Sequence, residues 1–320
     1  LHSDLYFGVH VFRGKKPGPR LLVCAGVHGD EINGVEIARR LISSSLLKRI
    51  KGDLIVTPVV NVPAFVARSR YLPDRRDLNR LFPGAPSGSH GARCAHVFMT
   101  EVASKCSHII DLHTASNNRT NLPQLRIDFA LQGNREFAGA FKAPVVLNST
   151  SPQGSLREAL TNLGKPAAVY EAGAEMTLDM PAVRFGLRGV TSVMRHLGML
   201  PQTKSKGKPA KCAFCKKSSW LRAPTCGSFR ALVPLGRAVS RDVVLGIVAD
   251  PFGDHETPVY PDSEGIIIGR TNAPLVDEGD ALFHVAIHRD VESAEQDIAD
   301  SAEAMLGGTE DAPFEDSVVD

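Results

Sequence analysis

Read for hydrophobic and polar positions, the chain is a series of short apolar runs alternating with stretches of helical period. LLVCAG (21–26), LIVTPVVN (54–61), HIIDLH (108–113), APVVLN (143–148) and AAVYEAG (167–173) have strand length, and helical spacing occupies 31–48, 91–106, 155–164 and 180–197. The first helix is the clearest: Val35, Ala38, Leu41, Ile42 and Leu46 recur on one face, with Glu36, Arg39 and Arg40 between them. Strands alternating with helices predict an α/β sheet covered by helices.

After residue 203 the pattern changes. PQTKSKGKPAKCAFCKKSS (201–219) is Lys-, Ser-, Gly- and Pro-rich with little periodicity, so 204–218 reads as a linker or exposed loop. It divides an α/β unit, 1–203, from the C-terminal segments. Residues 219–288 are short β-like runs broken by Pro-Gly and Gly-Asp turn signals, which predicts a small all-β module. The end, 289–320, is acidic with few large apolar residues, and the expectation there is a disordered tail.

Composition narrows the partners. Across 320 residues, 43% apolar and 22% charged with a net charge of +2, no field suggests nucleic acid, and a small molecule is the better expectation. No run approaches the ~18–20 apolar residues of a membrane span. LHSDLYFGVHVFRGKK lacks the basic-then-apolar pattern of a secretion signal, so the expectation is a cytoplasmic location. Six cysteines are too few for a disulfide scaffold, and Cys24, Cys94 and Cys106 read as reduced and structural.

The chemistry begins where VCAGVHGDEINGVE (23–36) turns from apolar strand to an imidazole and two carboxylates. His28 and Glu31 sit at a strand end and a helix start, the edge where α/β folds place their sites. Hydrolytic zinc is commonly held by two His and one Glu with a fourth position for water, and His113 at the end of HIIDLH completes such a set. An isolated HxxE also occurs by chance. Asp111, two residues before His113, points to the same side of an extended segment. It either orients a ligand imidazole or serves as an ordinary capping or ion-pairing carboxylate. By themselves, Glu171 is a strand-end carboxylate and Arg80 a surface ion-pair residue.

In order along the chain, GVHGDEINGVE, RDLNRLFPG, DLHTAS and YEAG resemble the succinylglutamate desuccinylase and aspartoacylase family, itself related to zinc carboxypeptidases. The resemblance implies a zinc-carboxypeptidase-like mixed α/β sheet flanked by helices, followed by a C-terminal all-β module. It implies one Zn2+ per chain held by His28, Glu31 and His113, with Glu171 as general base and acid. It assigns Asn79 and Arg80 to the substrate α-carboxylate and Arg70 to the scissile carbonyl, with Arg68, Arg75 and Arg76 as alternatives to Arg70 because the 70–77 segment is long. For Arg157 the resemblance offers a further substrate contact, but its spacing to Glu171 differs from the aspartoacylase pattern, and it reads as a solvated helix-face residue. The implied activity is removal of an acetyl or succinyl group from a small N-acyl amino acid. The alternatives are a carboxypeptidase acting on peptides and a binding protein without catalysis. Members acting on acetylated diamino acids such as N-acetyl-diaminobutyrate are the most similar in the β region.

The 219–288 segment also resembles the lipoyl and biotinyl carrier fold, but its hairpin, VADPFGDHE (248–256), has no Lys to carry a group. The expected role is to shape or cover the active site, or to mediate assembly into a homo-oligomer. Cys212 and Cys215 form a CxxC without a second pair, which reads as an exposed, oxidisable thiol pair rather than a metal site.

Overall fold

The computed structural model describes residues 5–202 and 212–307. In the first part, the strands are β1 (His10–Arg13), β2 (Arg20–Ala25), β3 (Asp53–Thr57), β4 (His108–Ala115), β5 (Arg119–Ile127), β6 (Val145–Asn148) and β7 (Ala167–Ala174). The helices are α1 (Ile32–Ile42), α2 (Val62–Val66), α3 (His90–Glu101), α4 (Asn134–Phe141), α5 (Leu156–Thr161) and α6 (Met180–His196). Strands β3, β2, β4 and β7 run parallel in that order, while β1 and β5 flank them antiparallel.

The parallel strands are apolar on both faces because helices cover both. Leu21, Val23 and Ala25 of β2, Ile110 and Leu112 of β4, and Ala168, Tyr170 and Ala172 of β7 enter one core with residues of α1, α4 and α6. Leu22, Cys24, Ile109 and Ala167 enter a second core with residues of α3 and α5. The period of two then places Asp111, His113 and Glu171 on the α3/α5 side, where they continue the faces of Ile109 and Ala167 past the apolar layer.

The C-terminal strands are β8 (Ala213–Cys215), β9 (Lys217–Arg222), β10 (Gly227–Ala231), β11 (Ala238–Val239), β12 (Gly246–Ala249), β13 (Glu256–Val259), β14 (Gly265–Thr271), β15 (Leu275–Val276) and β16 (Ala281–Ile287). They do not form a detached module. β14 pairs antiparallel with β5, and β16 and β9 extend the sheet from there, so the main sheet runs on to twelve strands. The remaining strands, β13, β12, β10 and β15, form a second sheet over a separate apolar core that includes Leu221, Leu245, Val248 and Phe283.

Two expectations are corrected. The proposed 204–218 linker lies outside the described residues up to 211, but 213–215 and 217–222 are strand, with β8 parallel to β6. Ala213 and Cys215 alternate inward there, which a reading dominated by the flanking lysines overlooks. The proposed disordered tail is helical over α7 (Val291–Gly307). Ala294, Ile298 and Ser301 are buried at helical spacing, and Ala294 and Ile298 pack with Ile266 and Ile268 of β14, so three small contacts anchor a helix with an acidic outer face. Residues 308–320 lie outside the described residues. Among the described residues no helix is long and apolar enough to cross a membrane.

The cysteine pair is also corrected. Cys215 is buried and Cys212 partly so, and they join different apolar cores. Burial pushes the Cys212 thiol up to about 11 and the Cys215 thiol up to about 12, the opposite of an activated thiol.

Candidate active site

His28 lies just beyond β2, and Glu31 stands at the start of α1 without using its side chain to cap the helix. That carboxylate turns inward. The turn between them packs so closely on α2 that a Cβ on Gly29 would fall 2.0 Å from the backbone of Ala64, so only glycine fits. His113 arrives from the neighbouring β4.

The three side chains converge. His28 Nδ1 lies 2.7 Å from Glu31 Oε1, and His113 Nδ1 lies 2.8 Å from Glu31 Oε2. Thr114 N donates to the same Oε2 at 3.0 Å. All three are buried, and among the described residues they are the one His, Cys, Asp or Glu cluster whose donor atoms lie within 4.8 Å of one another.

Carboxylates hold the far side of each imidazole. His28 Nε2 is 3.1 Å from Asp77 Oδ1, and His113 Nε2 is 2.9 Å from Asp111 Oδ2. Both rings therefore turn Nδ1 toward Glu31, the arrangement that fixes a histidine as a metal ligand. Burial would lower the basicity of these rings, but Glu31 and Asp77 outweigh it at His28, and Asp111 and Glu31 at His113, so both are raised. Burial would likewise raise Glu31, yet the two imidazoles hold it well below the usual carboxylate range. The donor set suits a divalent metal: two nitrogens and a carboxylate face one point, with their protons and orientations controlled from outside.

Glu171 is the register partner of His113 across β4 and β7, which places a carboxylate beside the triad. Its oxygens are held from β5: Asn121 Nδ2 donates to Oε2 at 3.0 Å, and Arg126 Nη1 lies 3.4 Å from Oε1. Sequence reasoning misses both β5 residues. The β5 segment RTNLPQLRI carries a one-residue register shift against β7 between Asn121 and Gln124, around Pro123. A bulge of this kind reverses the alternation, so Arg119 and Asn121 before it and Arg126 after it meet the same pocket. Pro123 between Leu122 and Leu125 in a segment of strand length is the signal that could have revealed it.

Arg70 lies in the site, while Arg68, Arg75 and Arg76 are exposed. Its Nη1 donates to Glu31 Oε1 at 3.3 Å and its Nη2 to Asp77 Oδ2 at 3.0 Å. Asp77 thus ties Arg70 to His28, and both draw its carboxyl far below the usual range against the opposing effect of burial. Asn79 and Arg80 occupy the next turn, Leu78–Arg80, and line the same pocket. Asn79 Oδ1 accepts from Leu156 N at 2.9 Å, which fastens this turn to the start of α5.

Arg157 requires a correction. It is not a solvated helix-face residue: it is 6% exposed and lines the pocket. One nitrogen, Nη2, donates to Ser149 Oγ at 3.2 Å and Thr150 O at 3.1 Å, but Nη1 has no partner among the described residues. Burial and the nearby Arg126 lower its pKa to about 10. Trp220 of β9 also lines the pocket, so the C-terminal strands contribute directly to a cavity of about 210 Å³.

A family model for the succinylglutamate desuccinylase/aspartoacylase catalytic domain matches residues 17–197. The chain belongs to this family. Similarity to the N-alpha-acetyl-L-2,4-diaminobutyric acid deacetylase of Halomonas elongata is 26% identity over 288 residues, covering 84% of this chain and 82% of that protein. A succinylglutamate desuccinylase of Burkholderia orbicola is 36% identical over 110 residues, but only 30% of this chain and 31% of that protein are covered. Among solved structures, a succinylglutamate desuccinylase/aspartoacylase from Rhodobacter sphaeroides superposes with a TM-score of 0.80 at 25% identity, covering 88% of this chain and 89% of that one. The ectoine utilization protein EutE from Ruegeria pomeroyi shares the fold with a TM-score of 0.78 at 23% identity, covering 88% of each chain. Coverage of 88% in both cases reaches past the 17–197 catalytic segment and includes strands beyond residue 212.

Proposed function

We propose that this chain is a zinc-dependent deacylase of small N-acyl amino acids, releasing a carboxylate and a free amine. The observation that carries the reading is the pairing of a buried His28–Glu31–His113 donor set with Glu171 at the adjacent strand position. A metal-dependent hydrolytic site needs a metal position and a proton carrier side by side, and binding alone does not require that pairing. The names of the family relatives supply the substrate class.

His28, Glu31 and His113 would hold one zinc ion. When bound, zinc supplies a lowered pKa for water and polarisation of an amide carbonyl. Glu171 takes the proton of the attacking water and returns it to the leaving amine, and Asn121 and Arg126 keep its carboxylate turned to the task. Arg70, held in place by Asp77, donates to the carbonyl oxygen as charge develops on it. Arg80 and the amide nitrogen of Asn79 bind the α-carboxylate. A cavity of about 210 Å³ walled by Trp220 favours a small substrate over a peptide chain.

The test is amine release from a panel of N-acetyl and N-succinyl amino acids, with and without chelator and with zinc restored. Turnover that disappears with chelator and returns with zinc is expected. Turnover unchanged by exhaustive chelation would remove zinc from the reading, and silence across the panel from zinc-loaded protein would remove the deacylase itself.

A further inference from the structure

Glu171 is held from β5, and β5 is held in turn from the C-terminal strands. Two register shifts meet there, one in the β5–β7 pairing between Asn121 and Gln124 and one in the β14–β16 pairing between Ile267 and Gly269. Gly269 is the register partner of Asn121 across β14 and β5, and Gln124 is the register partner of Glu171 across β5 and β7. Both β5 side chains are buried. Gln124 Nε2 donates to Ile268 O at 3.0 Å, which fastens one bulge to the other. The line from β14 through β5 to β7 therefore ends on the carboxylate beside the His28–Glu31–His113 set.

The Asn121 amide has one orientation that fits. A carboxylate only accepts, so Nδ2 is the atom turned to Glu171 Oε2, at 3.0 Å, and Oδ1 is left to face β14. There it meets a glycine. A Cβ on Gly269 would fall 2.8 Å from Asn121 Oδ1, closer than side chains tolerate, while His284 Cβ at 3.3 Å and Thr120 O at 3.7 Å stand farther off. His284 of β16 is buried, stacks on Trp220 with ring centroids 4.4 Å apart, and has Nε2 2.8 Å from Ser218 Oγ, so that side of the glycine is fixed. The group that must yield to a methyl is the end of the Asn121 side chain. Gly269 does not have the left-handed φ that favours glycine, so what calls for glycine here is the room the amide needs.

We propose that Gly269 and Asn121 are positioning residues for Glu171: the bare backbone of β14 lets the Asn121 amide stand with Nδ2 toward the carboxylate and so fixes the direction in which Glu171 moves its proton. The inference rests on the deacylase reading and gives strands outside the 17–197 segment a part in the chemistry. Misplacing a reacting group by about 1 Å can cost about a hundredfold in rate. Arg126 still holds Oε1 when Asn121 is disturbed, so the expected loss is smaller.

Rates are read on zinc-loaded protein with N-α-acetyl-2,4-diaminobutyrate and N-succinylglutamate, using whichever the wild type turns over faster. Asn121→Ala and Gly269→Ala should each lower kcat about tenfold, with KM and zinc content within about twofold of wild type. The double variant decides how they act. A methyl that works through the amide adds nothing once Asn121 is alanine, whereas two independent defects multiply to about a hundredfold. In Glu171→Gln protein, neither substitution should lower the residual rate further. Gln124→Met cuts the tie to Ile268 O without crowding the seam; it serves if Gly269→Ala does not fold, and its smaller loss should likewise vanish in Asn121→Ala. Crystal structures of metal-free wild type and Gly269→Ala give a readout independent of turnover, with Asn121 Nδ2 expected beyond hydrogen-bond distance of Glu171 in the variant. Losses that multiply, a normal kcat in Asn121→Ala, an intact Asn121–Glu171 bond in Gly269→Ala, or a change confined to KM or zinc content would overturn the proposal. A wild type inactive on both substrates would instead count against the deacylase reading, and the crystallographic comparison would still decide whether Gly269 sets Asn121.

Discussion

The two walls of the pocket are both arginine- and carboxylate-bearing, yet they stand in opposite states. On the triad side, each carboxylate oxygen of Glu31 and each nitrogen of His28 and His113 has a partner within the protein. Elsewhere in the pocket, Arg119 and Arg126 of β5 and Arg157 of α5 each retain a buried nitrogen with none among the described residues. A network satisfied from within is fixed before anything binds, which is what positioned donors and a proton carrier require. Donors left unmet in a pocket are available to a ligand. Under the proposed function, chemistry belongs to the wall that is satisfied from within.

The sharpest break of that contrast is on the chemical wall. Glu171→Gln keeps the size of the side chain and removes its capacity to carry a proton, so kcat should fall by about 10²–10⁴-fold with zinc content unchanged. Metal analysis and steady-state kinetics on the same preparation check both halves, and a near-normal rate would take Glu171 out of the reaction. A smaller effect is expected one bond further out. Asp111→Asn and Asp77→Asn loosen the far side of each imidazole and should weaken zinc affinity by about 10–100-fold, read by competition with a chromogenic chelator. Unaltered affinity in both variants would reduce these carboxylates to packing.

The smallest effect separates the walls by the sign of their pH response. In the metal-free protein His28 and His113 have raised folded-state values, so their contribution to stability is full below the unfolded value of about 6.5 and is lost as pH rises through the raised ones. Zinc must displace those protons, so its affinity should increase over the same rise. His284 behaves oppositely: its value is pushed down to about 3, so the unfolded chain takes up its proton first and stability is lost as pH falls from about 6.5 toward 3. Melting temperature against pH for metal-free wild type and His284→Gln tests this, with the variant expected to lose part of the acid-side decline and keep the alkaline-side one. Parallel curves would show that His284 is protonated in the fold.

Much of the triad wall is legible along the chain because its parts lie where periodicity is regular. β2, β4 and β7 are continuous apolar runs up to the residues of the triad wall, so His28, His113 and Glu171 can be placed near strand ends from the pattern of the chain. The β5 wall is not legible. Pro123 and the bulge beside it break the alternation of β5, and the run RTNLPQLRI does not declare itself as a strand. Arg157 shows the same limit from another direction: a helix as short as α5 has too few turns for its spacing to reveal a buried face. α7 escapes a reading of the chain because Ala294 and Ile298 are modest anchors whose value depends on the apolar surface of β14 beneath them.

The sequence by itself determined the alternating α/β frame, the donor types at the strand ends and the motif order that the family match bears out. These come from local rules: the period of a strand or helix, and the turn chemistry at its ends, are properties of neighbouring residues. Only the tertiary structure decided that β14 would pair with β5, that Trp220 of β9 would reach a pocket begun at His28, and that Arg119, Arg126 and Arg157 would each be left with one buried nitrogen unmet. Those outcomes depend on which distant segments share a sheet and on where a bulge redirects a side chain, and such long-range pairings have no signature within any one stretch of chain.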